Sequence, residues 1–269
     1  MPAPTIFRFP GSKAQFIAPL APFLDRLLQG RKSFHDVFTG GGAVSLFVAA
    51  RYPGLELCLN DLDPDLSAFW RVVAGDEVEA LCDRLALRPT IDLFYELRRT
   101  APKTDVDRAF RALFFSRCCF SGLLHGNPLG GERQMSPTNK VFSRYHGARL
   151  VQQIRQAHKL ISRRTLVTCA DGAQYVRRHP TAPMYLDPPY FEKGDRLYRQ
   201  RMMLADHLRL ADALRSASTW VLSYDRSPVI EELFEWAHCH AIGARYSVSG
   251  KKTKWATNEE LVIVPRDGS

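Results

Sequence analysis

The chain has 269 residues, and 37 Lys and Arg against 28 Asp and Glu leave a net charge of +9. A hydrophobic content of 45% with 24% charged residues excludes a disordered tail, a collagen-like repeat and a membrane bundle, and it describes an ordinary globular protein. The basic excess fits a polyanionic partner without identifying one.

In chain order, the apolar residues of 12–29 (Phe16, Leu20, Phe23, Leu24, Leu27, Leu28) recur at the spacing of one helix face, with Gly30 where a helix stop belongs. Val37-Phe38 reads as a short strand, Gly40-Gly41-Gly42 as a turn, 43–51 as a helix, and 55–59 as a second strand ending at Asn60-Asp61. That succession is a βαβ unit, which implies parallel strands joined by a right-handed crossover. Between 65 and 162 helical spacing dominates (Val78, Leu81, Leu85; Phe110, Leu113, Phe114; Leu150, Ile154, Ile161), broken by a loop over 122–137 rich in Gly, Pro, Ser and Asn. The end of this stretch is basic: Arg144, Arg149, Arg155, Lys159, Arg163 and Arg164. Strand candidates return at 166–169, 184–186, 220–223 and 261–264, separated by helical segments over 204–214 and 229–236. The expected architecture is an α/β domain with a mainly parallel, Rossmann-like sheet, built from 1–64 and 165–269 and split by a mostly helical insertion at 65–164. The six scattered cysteines contain no CxxC pair and predict reduced thiols. Residues 37–50, the longest uncharged apolar stretch, are too few to span a bilayer. With no secretory signal visible at the start, the expected setting is soluble and cytoplasmic.

Two motifs carry chemistry. Phe38-Thr39-Gly40-Gly41-Gly42 stands between a strand and a helix, where glycine lets the backbone approach a ligand and the helix start offers free N–H groups. Asp61, at the end of the next strand, is placed to accept hydrogen bonds from ribose hydroxyls. The full G-x-G-x-x-G fingerprint is absent, so a nucleoside cofactor without a pyrophosphate, such as S-adenosylmethionine, suits this turn better. Asp187-Pro188-Pro189-Tyr190 follows the apolar strand 184–186, at a carboxyl end where open α/β sheets bind ligands. A carboxylate and a rigid prolyl carbonyl can accept both hydrogens of an exocyclic amine, and the tyrosine ring can stack on a planar base.

Together these residues resemble the Dam-type, S-adenosylmethionine-dependent DNA adenine-N6 methyltransferases, over most of the chain and in the family's motif order. Phe9-Pro10-Gly11-Ser12-Lys13 is similar to the amino-terminal cofactor motif, 36–42 to the glycine motif, Asn60-Asp61 to the ribose-binding acid, and Asp171 to the acid near the cofactor adenine. Asp187 to Tyr190 matches the catalytic tetrapeptide, and Asn258 to Ile263 the closing strand. The resemblance implies cofactor contacts at Phe9, Lys13, Phe38, Gly40, Gly42, Asp61 and Asp171, and catalysis by Asp187, Pro188 and Tyr190. It also implies a double-stranded DNA substrate read by the loop 117–131, with Arg117, Ser121, His125 and Asn127 as contacts. Ser121 and His125 replace the Asn and Arg of Dam itself, so its target sequence does not transfer. Lys251, Lys252 and Lys254 beside Trp255 form a further candidate phosphate contact. Transfer from a sulfonium requires no metal, and none is expected.

The tetrapeptide alone leaves a cytosine-N4 methyltransferase open, as well as a catalytically silent nucleic-acid-binding relative. Cytosine-C5 chemistry would need an activated cysteine, and Cys118-Cys119 lies among phenylalanines where buried structural thiols are expected.

Overall fold

The computed structural model describes residues 6–8, 13–191, 202–247 and 255–266. Its centre is a seven-stranded sheet in the order β3-β2-β1-β4-β5-β7-β6. The strands are β1 (Ser33–Asp36), β2 (Glu56–Asn60), β3 (Thr165–Thr168), β4 (Met184–Leu186), β5 (Trp220–Asp225), β6 (His238–Ser247) and β7 (Trp255–Val264). All pairings are parallel except those of β7, which runs antiparallel to both β5 and β6. The sheet is therefore Rossmann-like. The chain steps outward from β1 to β2 and β3, then returns to place β4 on the other side of β1. This reversal is the topological switch point, where loops at the strand carboxyl ends open a crevice for ligands.

The central strands are buried on both faces, and their alternation sorts side chains into two cores. Tyr185, Val221 and Val262 face α1 (Ile17–Leu28), α2 (Ala43–Arg51) and α3 (Pro64–Ala74). Met184, Leu186, Leu222 and Ile263 face α8 (Gly172–Arg178), α9 (Leu204–Arg215) and α10 (Pro228–Leu233). The stretch between β2 and β3 contributes α4 (Val78–Arg84), α5 (Ile91–Arg99), α6 (Asp105–Cys118) and α7 (Gly147–Ile161). It has no separate core: Phe94, Phe110, Phe114 and Ile154 join one cluster with Leu57 and Leu59 of β2. Helix α3 links the two parts. Its Asp65, 2% exposed, receives Arg111 of α6 in a bidentate pair with Nη2–Oδ2 2.7 Å.

Two differences from the sequence expectation concern strands. The first strand is Ser33–Asp36, and Val37-Phe38 already belong to the turn. His35 and Asp36 are polar yet buried, so the apolar run marks the end of the strand, not its body. The second is β6, which the apolar pattern does not reveal. It is an edge strand, and His238, His240 and Ala241 are exposed, so only its partner β7 carries a clear core signal.

Candidate active site

The turn after β1 is tied to the ends of β2 and β3. Gly40 N–H donates to Asp61 Oδ2 at 2.8 Å, and Asp63 N–H donates to Oδ1 at 2.9 Å. The Trp70 indole donates to the Gly40 carbonyl at 2.9 Å. Gly42 has φ +68°, and a Cβ there would run into the Trp70 ring, so glycine is required on both counts. Asn60 holds the strand ends together: its side chain donates to the carbonyls of Val37 (3.0 Å) and Ala170 (2.9 Å) and accepts from the Thr168 hydroxyl (2.7 Å). Across the turn, the Phe38 ring lies on Gly172, leaving no space for a side chain at that position. Asp171 caps α8 by accepting from Gln174 N–H at 3.0 Å, while its Oδ2 stands 3.6 Å from the Arg209 guanidinium. Burial pushes the Asp61 carboxyl up to about 6, against the pull of its two backbone donors. Phe38, Gly40, Gly42, Asp61 and Asp171 are thus gathered around one crevice, whereas Phe9 lies outside the described residues.

Asp36, the last residue of β1, opens the 36–42 glycine motif but has no role of its own in the sequence expectation. It is 2% exposed, and its Oδ2 accepts from the Ser45 hydroxyl. Its Oδ1 is buried with no hydrogen-bond partner among the described residues. Burial pushes this carboxyl up to about 7, helped by Asp187 and Asp61 and opposed by the Ser45 hydroxyl and the Phe38 backbone N–H. The available signal was an acid ending the strand before a glycine turn, obscured by placing that strand at 37–38.

Opposite this turn, Asp187 leaves the end of β4 and is 22% exposed. Lys13, 3% exposed in the single 3-10 turn Lys13–Gln15, places its Nζ 2.7 Å from Asp187 Oδ1 and 3.2 Å from Glu260 Oε2. Lys13 Nζ also donates to the Tyr190 hydroxyl at 3.0 Å, and that hydroxyl donates to Glu260 Oε1 at 2.7 Å. The Ser223 hydroxyl donates to the same Asp187 Oδ1 at 3.2 Å. Asp187 Oδ2 and the Pro188 carbonyl oxygen have no hydrogen-bond partner among the described residues. Burial pushes Asp187 and Glu260 upward while the Lys13 ammonium opposes it. Burial alone would lower Lys13, but Asp187, Tyr185, Glu260 and Tyr190 hold it well above the usual lysine range. Lys13, grouped with the cofactor motif by sequence, is therefore in contact with the tetrapeptide. Tyr190 is 8% exposed, with Lys13 Nζ 4.7 Å from its ring centroid.

A third group of candidate residues lies in a tongue that follows α6. After α6 the chain turns through Phe120–Gly122 and returns, with Cys119 and Pro128 paired and Phe120 N–H donating to the Asn127 carbonyl at 2.9 Å. Arg98 braces the tongue from below, donating to the Gly126 carbonyl at 2.7 Å. Ser121, at φ +57°, is exposed together with His125 and Asn127. Phe120, 65% exposed, is an apolar ring on this polar tip that the sequence reading did not select. Gly122 has φ +76°, and the carbonyl of Arg8 occupies the space a Cβ would need, so the amino-terminal segment is seated against the tongue.

Arg117 is turned inward and donates to the Ile6 carbonyl, so it braces that segment and does not project from the tongue. Burial lowers its pKa, as do Arg149 and Arg8; burial and Arg144 lower that of Arg8. Four arginines therefore crowd beside the tongue. Other cations of the basic stretch serve structure: Arg155 pairs with Glu79, and Arg164 donates to the carbonyls of Ala49, Leu55 and Leu160. Lys251, Lys252 and Lys254 lie outside the described residues. Cys118 and Cys119 are 0% and 1% exposed, and burial raises both thiols, Cys119 to about 11. Neither is an activated nucleophile.

Comparison with known proteins agrees with this geometry. The type II methyltransferase M1.LlaDCHI of Lactococcus lactis subsp. cremoris is 23% identical, over 95% of this chain and 93% of its own length. The type II methyltransferase M.MjaIII of Methanocaldococcus jannaschii is 25% identical over 68% of each chain. The DNA N-6-adenine-methyltransferase of Escherichia phage P1 is 25% identical over 97% of this chain, which spans 35% of that longer protein. A sequence model of the D12 class matches residues 9–248, from the amino-terminal motif through the glycine turn and the tetrapeptide into β6 and just beyond. The protein belongs to the D12 class N6 adenine-specific DNA methyltransferase family.

Proposed function

We propose that this enzyme methylates N6 of an adenine turned out of double-stranded DNA, with Asp187 Oδ2 and the Pro188 carbonyl accepting the two amine hydrogens. One arrangement carries this reading. At the switch point, where β4 lies beside β1, Asp187 has one oxygen fixed by Lys13 and Ser223 and the other without a hydrogen-bond partner among the described residues. The adenine amine is a weak nucleophile because its lone pair is delocalised into the ring. Two fixed acceptors let the nitrogen pyramidalise and recover that electron density, and Asp187 can take the proton that N6 sheds once it has gained the methyl group.

S-Adenosylmethionine, when bound, supplies a methyl group on a sulfonium, which leaves as a neutral thioether. The crevice fits this cofactor. The Asp36 Oδ1 without a partner suits the ammonium of its methionine portion, Asp61 its ribose hydroxyls, and the Phe38 and Gly172 surface with Asp171 its adenine.

A base stacked inside a duplex cannot reach Asp187, so base flipping is implied. Tyr190, the aromatic adjacent to Asp187, is the stacking platform in this reading. We assign the 65–164 insertion to target recognition: Ser121, His125, Asn127 and Phe120 meet base edges and sugars, while Arg8, Arg144 and Arg149 meet phosphates. The family match supports adenine over the cytosine-N4 alternative. The two type II relatives support a place in restriction-modification.

The test is transfer of labelled methyl groups to unmethylated duplex DNA, followed by digestion to nucleosides. N6-methyladenine is the expected product. Asp187→Ala should abolish transfer while holding cofactor affinity within about threefold, since it removes an interaction made to the reacting amine. A fully active Asp187→Ala enzyme would refute the assignment.

A further inference from the structure

Glu260 is the one charged member of the Lys13 cluster without an assigned role. It lies in β7, paired with Asp225 of β5 and Ile242 of β6, and is 5% exposed. Because β7 is bonded on both sides, the sheet itself sets the position of this carboxylate. Its oxygens divide their work: Oε1 accepts from Tyr190, and Oε2 faces Lys13. The groups that face it are Lys13 from the amino-terminal turn and Tyr190 and Asp187 from the tetrapeptide, with Asp225 next to it on β5.

We propose that Glu260 is a positioning residue for methyl transfer, holding Lys13 and Tyr190 so that Asp187 presents a fully charged oxygen to the amine. Charge counting gives the reason. Lys13 with Asp187 alone would be a neutral pair, and the ammonium would draw electron density from the oxygen that must accept the amine hydrogen. With Glu260 the ammonium is shared between two carboxylates, at 2.7 and 3.2 Å, and the cluster keeps one net negative charge. That charge stands beside the nitrogen that becomes positive as it gains a methyl group and before it sheds its proton. Fixed charges at the site of developing opposite charge lower a barrier without reorganisation. The Tyr190 hydroxyl, accepting from Lys13 and donating to Glu260, also fixes the ring beside the target base. The inference rests on Asp187 acting as the amine acceptor.

Glu260→Gln preserves shape and an acceptor for Tyr190 but removes the charge. The single-turnover methylation rate on duplex DNA should fall about 10- to 100-fold, with cofactor and DNA dissociation constants within about threefold. Without the Glu260 charge, Lys13 acts on Asp187 alone, so the Asp187 pKa drops and the acidic limb of the pH–rate profile moves to lower pH. A purely structural role would not shift that limb. Glu260→Asp should recover part of the rate by restoring the charge. Combining Glu260→Gln with Lys13→Gln should cost less than the sum of the single losses. A wild-type rate in Glu260→Gln, an unshifted acidic limb, or strict additivity with Lys13→Gln would overturn the proposal. An active Asp187→Ala enzyme would refute the acceptor reading itself, whereas an inactive one with a normal Glu260→Gln enzyme would refute only the role of Glu260.

Discussion

If Asp36, whose Oδ1 has no hydrogen-bond partner among the described residues, holds the ammonium of the cofactor, cofactor binding is sensitive to pH in a calculable way. With its pKa near 7 in the free protein, the group is about nine-tenths ionised at pH 8 and about 1% ionised at pH 5. A cationic ligand prefers the ionised form, so its binding lowers the pKa and releases a proton. The sign is therefore fixed: affinity for S-adenosylmethionine rises with pH through about 7 and falls tenfold per unit below it. Between pH 8 and pH 5 the loss from Asp36 is about 90-fold, or roughly 2.7 kcal/mol. Asp61, titrating near 6, adds to the loss only below that value. Titration calorimetry at pH 7 in two buffers of different ionisation enthalpy should show about 0.5 proton released per cofactor bound from Asp36, with Asp61 adding no more than about 0.1. Asp36→Asn should bind weakly at pH 8 and lose both the proton release and the slope near 7. Unchanged affinity between pH 6 and 8, or the same proton release from Asp36→Asn, would refute the assignment.

Gly42→Ala places a Cβ against Trp70 at a left-handed backbone position. We predict a loss of about 2–4 kcal/mol of stability and a melting temperature lower by roughly 5–10 °C, read by calorimetry. If Arg8, Arg144 and Arg149 contact phosphates, replacing all three with Ala should reduce the slope of log K against log salt for DNA binding by about 0.9 per lost contact. Cofactor affinity should not change, and an unaltered slope would remove these residues from the DNA footprint.

The charge sign, the α/β class and both turn motifs were legible in the sequence because each is local. A glycine run between a strand and a helix, and an Asp-Pro-Pro-Tyr run after three apolar residues, keep their meaning whatever else the chain does. Strand 184–186 was likewise evident, since residues covered on both faces read as an unbroken apolar run. Buried polar residues defeated the same reasoning. His35 bonds the Tyr175 hydroxyl at 2.9 Å and Asp36 accepts from the Ser45 hydroxyl, so the apolar pattern points to the residues that follow β1.

What only the tertiary structure decided is which distant residues meet. Lys13 and Tyr190 are 177 positions apart, and Tyr190 and Glu260 are 70 apart; no periodicity relates them. They converge because the strand order reverses between β1 and β4, and because antiparallel β7 returns beside β5. The structure also divided the basic residues by use: Arg155 and Arg164 brace the fold, while Arg8, Arg144 and Arg149 crowd beside the tongue. Composition sums charge over the chain, but only folding determines which cations have acids or carbonyls within reach and which are left for a partner.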